Sequence, residues 1–295
     1  MKEFNEIIDE ICKEENIKIT KYQDNWLKEL EKDNKRRYIV GYKFSLNNQS
    51  IGLIVDDKGL FYDVIKDKLP IITHHVLFND YDKEEVLRLF HKYNDEVIIK
   101  GNIGTCGREV YKVNDINRLF KTIDYLFKSQ YSISLSPYYN IDKEYRLIVL
   151  NNEIKLVYGK ENPIIIGDGV KTVKELLLDF NSTYYSDNKV DNEDYIPKLN
   201  EKVIIEYRFN LSNGARVNKN IDLELKNKLI DMANKILKET GLTFGSIDII
   251  RTVDNELLIM EANSGVMMNN YLKQTNDIET VKKIYHEAIN LMFKE

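Results

Sequence analysis

The stretch ELLIMEANSGVMM, residues 256–268, carries four apolar residues into Glu261 and places Asn263 two positions further on. Side chains at i and i+2 of a strand point to the same side, so a carboxylate and a carboxamide are delivered together. Just upstream, GSIDIIRTVDNELLIMEAN (residues 245–263) reads as two apolar strands around a tight turn at Asp254-Asn255. Counting outward from a two-residue turn, Val253 faces Glu256, Ile249 faces Met260 and Asp248 faces Glu261. Two carboxylates directly opposite on one face lie roughly 4.5–5.5 Å apart and repel. A divalent cation removes that repulsion, and Asn263 adds a neutral oxygen. Hard cations such as Mg²⁺ are held in this way, by one or two carboxylates plus substrate phosphates. The candidate metal ligands are therefore Asp248, Glu261 and Asn263, for Mg²⁺ or Mn²⁺. The same residues also suit a solvated hairpin end, because acidic side chains are mostly exposed.

A second candidate is KGNIGTCGRE, residues 100–109. Gly101, Gly104 and Gly107 free the backbone so that its N–H groups can turn toward an anion. Lys100, at the end of a strand, supplies a point charge. No GK[ST] closes the loop, so it is not a Walker A sequence, and Ile103 breaks the G-x-G-x-x-G pattern. It reads either as a flap over phosphates or as a plain glycine-rich hairpin loop. Cys106 within it is a small filler rather than a nucleophile, since no histidine lies near it in sequence.

Elements that alternate without long interruption must position these groups. Phe4, Ile7, Ile8 and Ile11 fall at helical spacing near the N-terminus. A helix is predicted over 82–94, strands over 96–100 and 109–113, and an amphipathic helix from Ile116 to Phe127. EYRLIVL and EIKLVYG (144–159) form a hairpin about Asn151-Asn152. A helix over 222–240 stops at Gly241, and a last one covers about 277–293. Several hairpins among helices predict an α+β fold rather than an all-parallel doubly wound sheet.

Composition narrows the function classes. The chain has 295 residues, 43% hydrophobic and 31% charged, which is ordinary for a globular protein of one or two domains. A net charge of −5 argues against general nucleic-acid binding. No apolar run approaches the roughly 18 residues of a membrane span, so no membrane partner is expected. The charged N-terminus lacks a signal-peptide core. Two cysteines, Cys12 and Cys106, make neither a disulfide framework nor a metal cluster, which suits a cytoplasmic protein. Four histidines leave little for a zinc site.

Flap and metal hairpin together resemble the ATP-grasp superfamily, in particular the ATP-grasp module of cyanophycin synthetases and bifunctional glutathione synthetases. Three stretches carry the resemblance, which spans roughly residues 55–295. EYRLIVLNNEIKLVYGKENPIIIGDGVKTVKELL (144–177) looks like an acid-x-Arg strand, a basic residue, then G-D-G-x-x-T and a helix. RFNLSNGARV (208–217) looks like the Asn-Leu-Ser-Thr-Gly-Gly loop, and GSIDII with MEANS matches the two metal strands. Each also has a local reading: Gly167-Asp168-Gly169 is a good tight turn, and Thr172 with Glu175 is a capping box. Arg208 and Arg216 also read as surface residues.

The resemblance implies an ATP-grasp fold of two α+β lobes gripping ATP, after a short N-terminal region at 1–75. The small lobe with its glycine flap is expected at 76–135, and the large lobe with the metal site at 136–295. It implies ATP and Mg²⁺ (or Mn²⁺) as cofactors and ATP-dependent ligation of a carboxylate to an amine through an acyl phosphate. Lys58 and Lys100 fall at the phosphate lysines, and Gly101, Gly104 and Gly107 in the flap. Tyr138, Tyr139 and Asn140 lie in the connection that reads adenine, and Glu144 at the ribose acid. Lys160, Arg208 and Arg146 fall where catalytic cations stand. Departures are Pro137 where an acid is common, Lys160 where arginine is usual, and the absence of proline after Asn263. About 55 residues precede the first motif, too few for a complete N-terminal substrate domain of the usual kind. The partners implied are small-molecule or peptide carboxylate and amine substrates, with a homo-oligomer left open. A kinase of the same fold, or a nucleotide-binding module acting with a partner protein, are the alternatives.

Overall fold

The structure, a computed structural model, describes residues 3–104, 109–179, 193–205 and 208–294. It is an α+β fold. Helix α1 (Phe4–Glu14) buries Phe4, Ile7, Ile8, Ile11 and Cys12, the face that the helical period marks out. Glu3 and Glu6 close its N-terminus as a reciprocal capping box. A four-stranded antiparallel sheet follows, β1 (Lys18–Tyr22), β2 (Leu27–Lys32), β3 (Lys35–Val40) and β4 (Lys43–Phe44), in sequential order. Helices α2 (Gln49–Asp56) and α3 (Lys58–Ile65) follow and join the core of the main sheet described below.

A second unit holds strands β5 (His75–Phe78), β6 (Val97–Gly101), β7 (Val110–Val113) and β8 (Ser132–Pro137) in the order β5-β8-β6-β7. Helices α4 (Lys83–Lys92) and α5 (Ile116–Leu126) cover it. Asp82 caps α4 by accepting from the Glu84 and Glu85 N–H groups. The unit has its own core, drawn from Leu77 to Leu135, with Val97, Ile99, Leu119 and Ile123 fully buried.

The remaining chain contains β9 (Ile141–Leu150), β10 (Glu153–Glu161), β11 (Ile164–Ile166), the described part of α6 (173–179), β12 (Lys202–Ile204) and β13 (Arg216–Asn218). It continues with α7 (Leu223–Thr240), β14 (Phe244–Thr252), β15 (Leu257–Asn263), α8 (Asn269–Thr275) and α9 (Ile278–Lys294). Its main sheet is antiparallel with order β13-β10-β9-β14-β15. The β9–β10 turn is Asn151-Asn152 at φ 52° and 61°, the left-handed pair a two-residue hairpin demands. Gly241, at φ 71°, ends α7 by donating to the Leu237 carbonyl at 2.8 Å.

Alternation on this sheet separates two environments. Tyr145, Leu147, Val149, Ile247 and Ile249 face α2, α3 and α7. On the opposite face Ile148, Leu150, Tyr158 and Phe244 pack under α1, the first sheet, α8 and α9. Further along that second face the apolar residues give way to charged ones. Among the described residues no helix is long and apolar enough to cross a membrane.

The β14–β15 hairpin departs from the expected register near its turn. Ile249 pairs with Ile259, not with Met260, and Ile250 and Arg251 pair with Leu258 and Leu257. The turn holds three residues, Val253 to Asn255, closed by the Thr252 N–H donating to the Glu256 carbonyl at 2.9 Å. Asn255 takes the left-handed conformation there, φ 65°. A bulge at Met260 then restores the count, so Asp248 pairs with Glu261 after all. The extra turn residue and the extra bulge residue cancel.

Candidate active site

Row by row, the charged face assembles from four strands. One row runs Tyr158, Arg146, Asp248, Glu261 across β10, β9, β14 and β15, and Lys160 with Glu144 forms the neighbouring pair. Arg146 grips Asp248 in a fork, Nε to Oδ1 at 2.8 Å and Nη2 to Oδ2 at 2.5 Å. Lys160 Nζ donates to Asp248 Oδ1 at 3.3 Å and to Glu144 Oε1. Asp248, Lys160 and Glu144 are 1%, 3% and 5% exposed, so these charges depend on one another. Burial works to raise the Asp248 carboxyl, but the Arg146 and Lys160 charges outweigh it and hold Asp248 ionised. Glu144 goes the other way: burial lifts it above the usual carboxylate range, opposed by Lys160 and assisted by the Asp248 charge.

Glu261 is less constrained. Asn263 Nδ2 donates to its Oε1 at 3.3 Å, and Lys58 Nζ stands 4.0 Å from its Oε2. Two carboxylates and a carboxamide are the oxygen donor set a hard cation takes. Among the described residues no group of three or more His, Cys, Asp or Glu side chains is set to hold a metal ion. Asp248 Oδ2 accepts only from Arg146 among them, and Glu261 is the more open of the two carboxylates, so the donor chemistry suits Mg²⁺ only with further oxygens from a ligand.

Lys58 and Lys100 approach from the other side. Lys58 opens α3 behind its cap Asp57, is 6% exposed, and donates to the Asn102 carbonyl at 3.3 Å and the Gly104 carbonyl at 3.2 Å. Lys100, at the end of β6, is 8% exposed. Its pKa is brought down to about 8, mainly by burial, with the Lys58 charge adding to the fall and the Glu261, Glu144 and Asp248 carboxylates opposing it.

Of the glycine loop, Gly101 and Gly104 are described, while Cys106 and Gly107 lie outside the described residues. Neither described glycine has a left-handed φ; among the described residues an added Cβ at Gly104 would meet nothing within 4 Å, and one at Gly101 would sit 3.1 Å from the Gln130 side chain. Neither crowding nor φ therefore requires glycine at 104. Both feet of the loop are pinned. Asn102 holds the first foot, and Glu109, at φ 53°, accepts from Gln130 Nε2 at 2.8 Å on the second.

Tyr138, Tyr139 and Asn140 connect β8 to β9. The Tyr138 N–H is engaged with the Glu96 carbonyl at 3.1 Å, and Lys112 Nζ lies 3.5 Å from its ring centroid. Tyr139 Oη accepts from the Thr73 N–H, and the Asn140 carbonyl accepts from the Val253 N–H. Beside this connection Ile72, Ile250 and Leu258 form an apolar patch with Tyr139, Ile141 and Met260 packed on it. Arg208 is half-buried and lies beside the β7 strand, where burial raises the Tyr111 phenol and the Arg208 charge acts against that rise. Gly167-Asp168-Gly169 is a turn: Asp168 accepts from the Val170 and Lys171 N–H groups, and Thr172 and Glu175 cap α6 reciprocally.

Sequence reasoning passed over Asp57, His74 and Asn102. His74 is 4% exposed, with Nδ1 2.7 Å from the Ser134 hydroxyl and Nε2 without a good hydrogen bond among the described residues. Burial first, then the Lys100 and Lys58 charges, push it well below its ordinary pKa, so it is neutral. No pattern around HH signalled this. Asn102 had one signal, a polar residue directly after Gly101 in the glycine loop.

With Lys100 on β6 and Lys58 on α3 meeting the carboxylate hairpin β14–β15, the chain has the ATP-grasp fold. It is similar to the bifunctional glutathione synthetase from Pasteurella multocida, at 17% identity and a TM-score of 0.52 over 94% of this chain and 42% of that one. It is also similar to the D-alanine–D-alanine ligase from Bacillus anthracis, at 12% identity and a TM-score of 0.56 over 82% of this chain and 69% of that one. The ATP-grasp ligase PsnB, solved with a phosphomimetic variant of its minimal precursor, Mg and ADP, matches 83% of this chain and 61% of its own at 15% identity and a TM-score of 0.52. The chain thus spans less than half of the Pasteurella enzyme. No family model and no curated protein matches the sequence.

Proposed function

We propose that this chain is an ATP-dependent ligase joining a carboxylate to an amine through an acyl phosphate, with release of ADP and phosphate. The observation that carries this reading is the convergence of Lys58 and Lys100 on the carboxylate pair Asp248 and Glu261, with Arg146 and Lys160 alongside. That layout suits a polyphosphate held between cations and a metal site, where catalysis is positioning and charge neutralisation. Lys58 and Lys100 bind the α- and β-phosphates. Asp248, Glu261 and Asn263 would hold Mg²⁺, which supplies neutralisation of phosphate charge. The base lies along the Tyr138–Asn140 connection, beside the partly exposed Tyr139 and Met260, and Glu144 takes the ribose hydroxyls once Lys160 turns from it to the γ-phosphate.

In the reaction a carboxylate oxygen of the substrate attacks the γ-phosphorus and ADP leaves. The amine then attacks the acyl carbon, phosphate departs, and the amine proton is lost to solvent. Arg146, Lys160 and Arg208 offset the charge on the transferred phosphoryl group and on the departing phosphate. The ligases of similar fold include one solved with a precursor peptide and one that joins D-alanine, so amino acids and peptides are the first substrates to screen.

The test is hydroxylamine trapping. With a carboxylate substrate found by ADP release, MgATP and hydroxylamine, but no amine, the chain should form a hydroxamate with stoichiometric ADP. ADP without a hydroxamate would identify a kinase, and AMP with pyrophosphate an adenylating enzyme; either would refute the ligase.

A further inference from the structure

Asn102 uses its polar groups almost entirely on one task. It is 2% exposed in a loop whose neighbours are glycine and isoleucine. Its Nδ2 donates to Asp57 Oδ2 at 2.8 Å and to the Ser132 hydroxyl at 3.3 Å, and its Oδ1 accepts from the Gly59 N–H at 3.1 Å. Its carbonyl accepts from both the Lys58 N–H and Lys58 Nζ, each at 3.3 Å. The next residue, Ile103, forms an isolated antiparallel bridge with Asp57. Asp57 meanwhile caps α3 through the Leu60 N–H at 2.9 Å. The first foot of the glycine loop is thereby fastened to the N-terminus of the helix that carries Lys58.

A fastening here opposes a specific force. Lys58 and Lys100 belong to different structural units, are both buried, and repel one another. Like charges in a poorly solvated place separate unless the backbone holds them. Lys100, the last residue but one of β6, stands two residues before Asn102, so the same contact that seats Asn102 on Asp57 sets the spacing of the two ammonium groups.

We propose that Asp57 and Asn102 are positioning residues: a tether between the glycine loop and α3 that presents Lys58 and Lys100 to a polyphosphate as one preset pair. This rests on the nucleotide reading given above. A monophosphate, with one phosphate group to bind, gains little from a preset pair; a triphosphate gains most. Pre-organisation of this kind raises affinity by removing the cost of bringing the groups together.

The reciprocal exchange tests it. Asn102→Asp sets two carboxylates against each other. The double variant Asp57→Asn with Asn102→Asp restores the contact with donor and acceptor reversed. The carboxamide introduced at position 57 then donates to the carboxylate introduced at position 102, which still accepts from the Gly59 N–H, and net charge is unchanged. Binding of MgATP and of AMP is measured by calorimetry on the full chain. Amide exchange at Gly59 and at 101–104 is measured without nucleotide. The single variant should weaken MgATP about tenfold, the scale of one charged hydrogen bond, while AMP changes less than about twofold. It should also speed exchange at Gly59 and 101–104, and the double variant should reverse both effects. Equal weakening of ATP and AMP, or no reversal in the double variant, would overturn the tether. Should Asn102→Asp not fold, Asn102→Ala carries the same ATP-to-AMP comparison. A wild-type chain that binds neither nucleotide would refute the nucleotide reading itself; exchange that is unaltered in the single variant would refute the tether independently of it.

Discussion

Replacing Lys100 with methionine should make the protein more stable near neutral pH, with a pH dependence that identifies the cause. In the folded chain Lys100 titrates at about 8, against an ordinary lysine value of 10.5. A gap of about two and a half units, at about 1.36 kcal/mol each, makes the charged form cost about 3 kcal/mol on folding. The sign follows from proton counts. Below pH 8 the side chain is charged in both states, and folding carries the whole cost. Between pH 8 and 10.5 the folded state holds fewer protons than the unfolded one, so stability rises with pH. Above 10.5 it is neutral in both, and the cost has gone. Methionine fills a similar volume and does not titrate, so Lys100→Met should exceed the wild type by about 2–3 kcal/mol at pH 7, the margin narrowing to under about 1 kcal/mol by pH 10. Urea unfolding of both proteins at pH 7, 8, 9 and 10 gives the difference directly. A margin that stays constant across that range would refute the buried-ammonium account. The same group governs binding: a polyphosphate favours charged Lys100, so MgATP affinity should fall by up to about tenfold per unit above pH 8. Lys100→Arg should remove that dependence, since a guanidinium remains charged.

Other outcomes follow from the carboxylates and their partners. ATP turnover should require Mg²⁺ or Mn²⁺ and stop with a chelator, and Glu261→Gln should slow it at least about tenfold, because a hard-cation ligand loses its charge; wild-type rates in that variant would remove the proposed metal site. Lys160→Met should destabilise the fold by about 3–5 kcal/mol, leaving Glu144 buried without its cation. Adding Glu144→Leu should recover most of that loss in urea unfolding, and a double variant no more stable than the single one would show that Glu144 is not what Lys160 satisfies.

The sequence alone determined those features whose cause lies within one local window. Apolar period fixes α1, α5 and α7, where the spaced residues Phe4, Leu119 and Leu229 are all buried. The Asn151-Asn152 turn and the Gly241 stop rest on which residues tolerate φ > 0, a property each carries by itself. Alternation in two adjacent strands was enough to place Asp248 opposite Glu261, although the turn is one residue longer than the count assumed and Met260 bulges to compensate. Tertiary structure decided the rest. The sheet β1 to β4 left little pattern, because β1 is half-exposed and its partners are mostly charged; only packing of Leu30, Ile39 and Phe44 against α1 and α9 gives it a core. Whether Asp248 stands bare or held by Arg146 and Lys160 depends on contacts 102 and 88 residues apart in sequence. Lys58 and Lys100 look alike in the sequence as strand-end or helix-end lysines. Their nearness arises where Asn102 meets Asp57, a contact spanning 45 residues. Burial and charge proximity act through space, and a chain reads out only its own neighbours until the fold closes the loops between them.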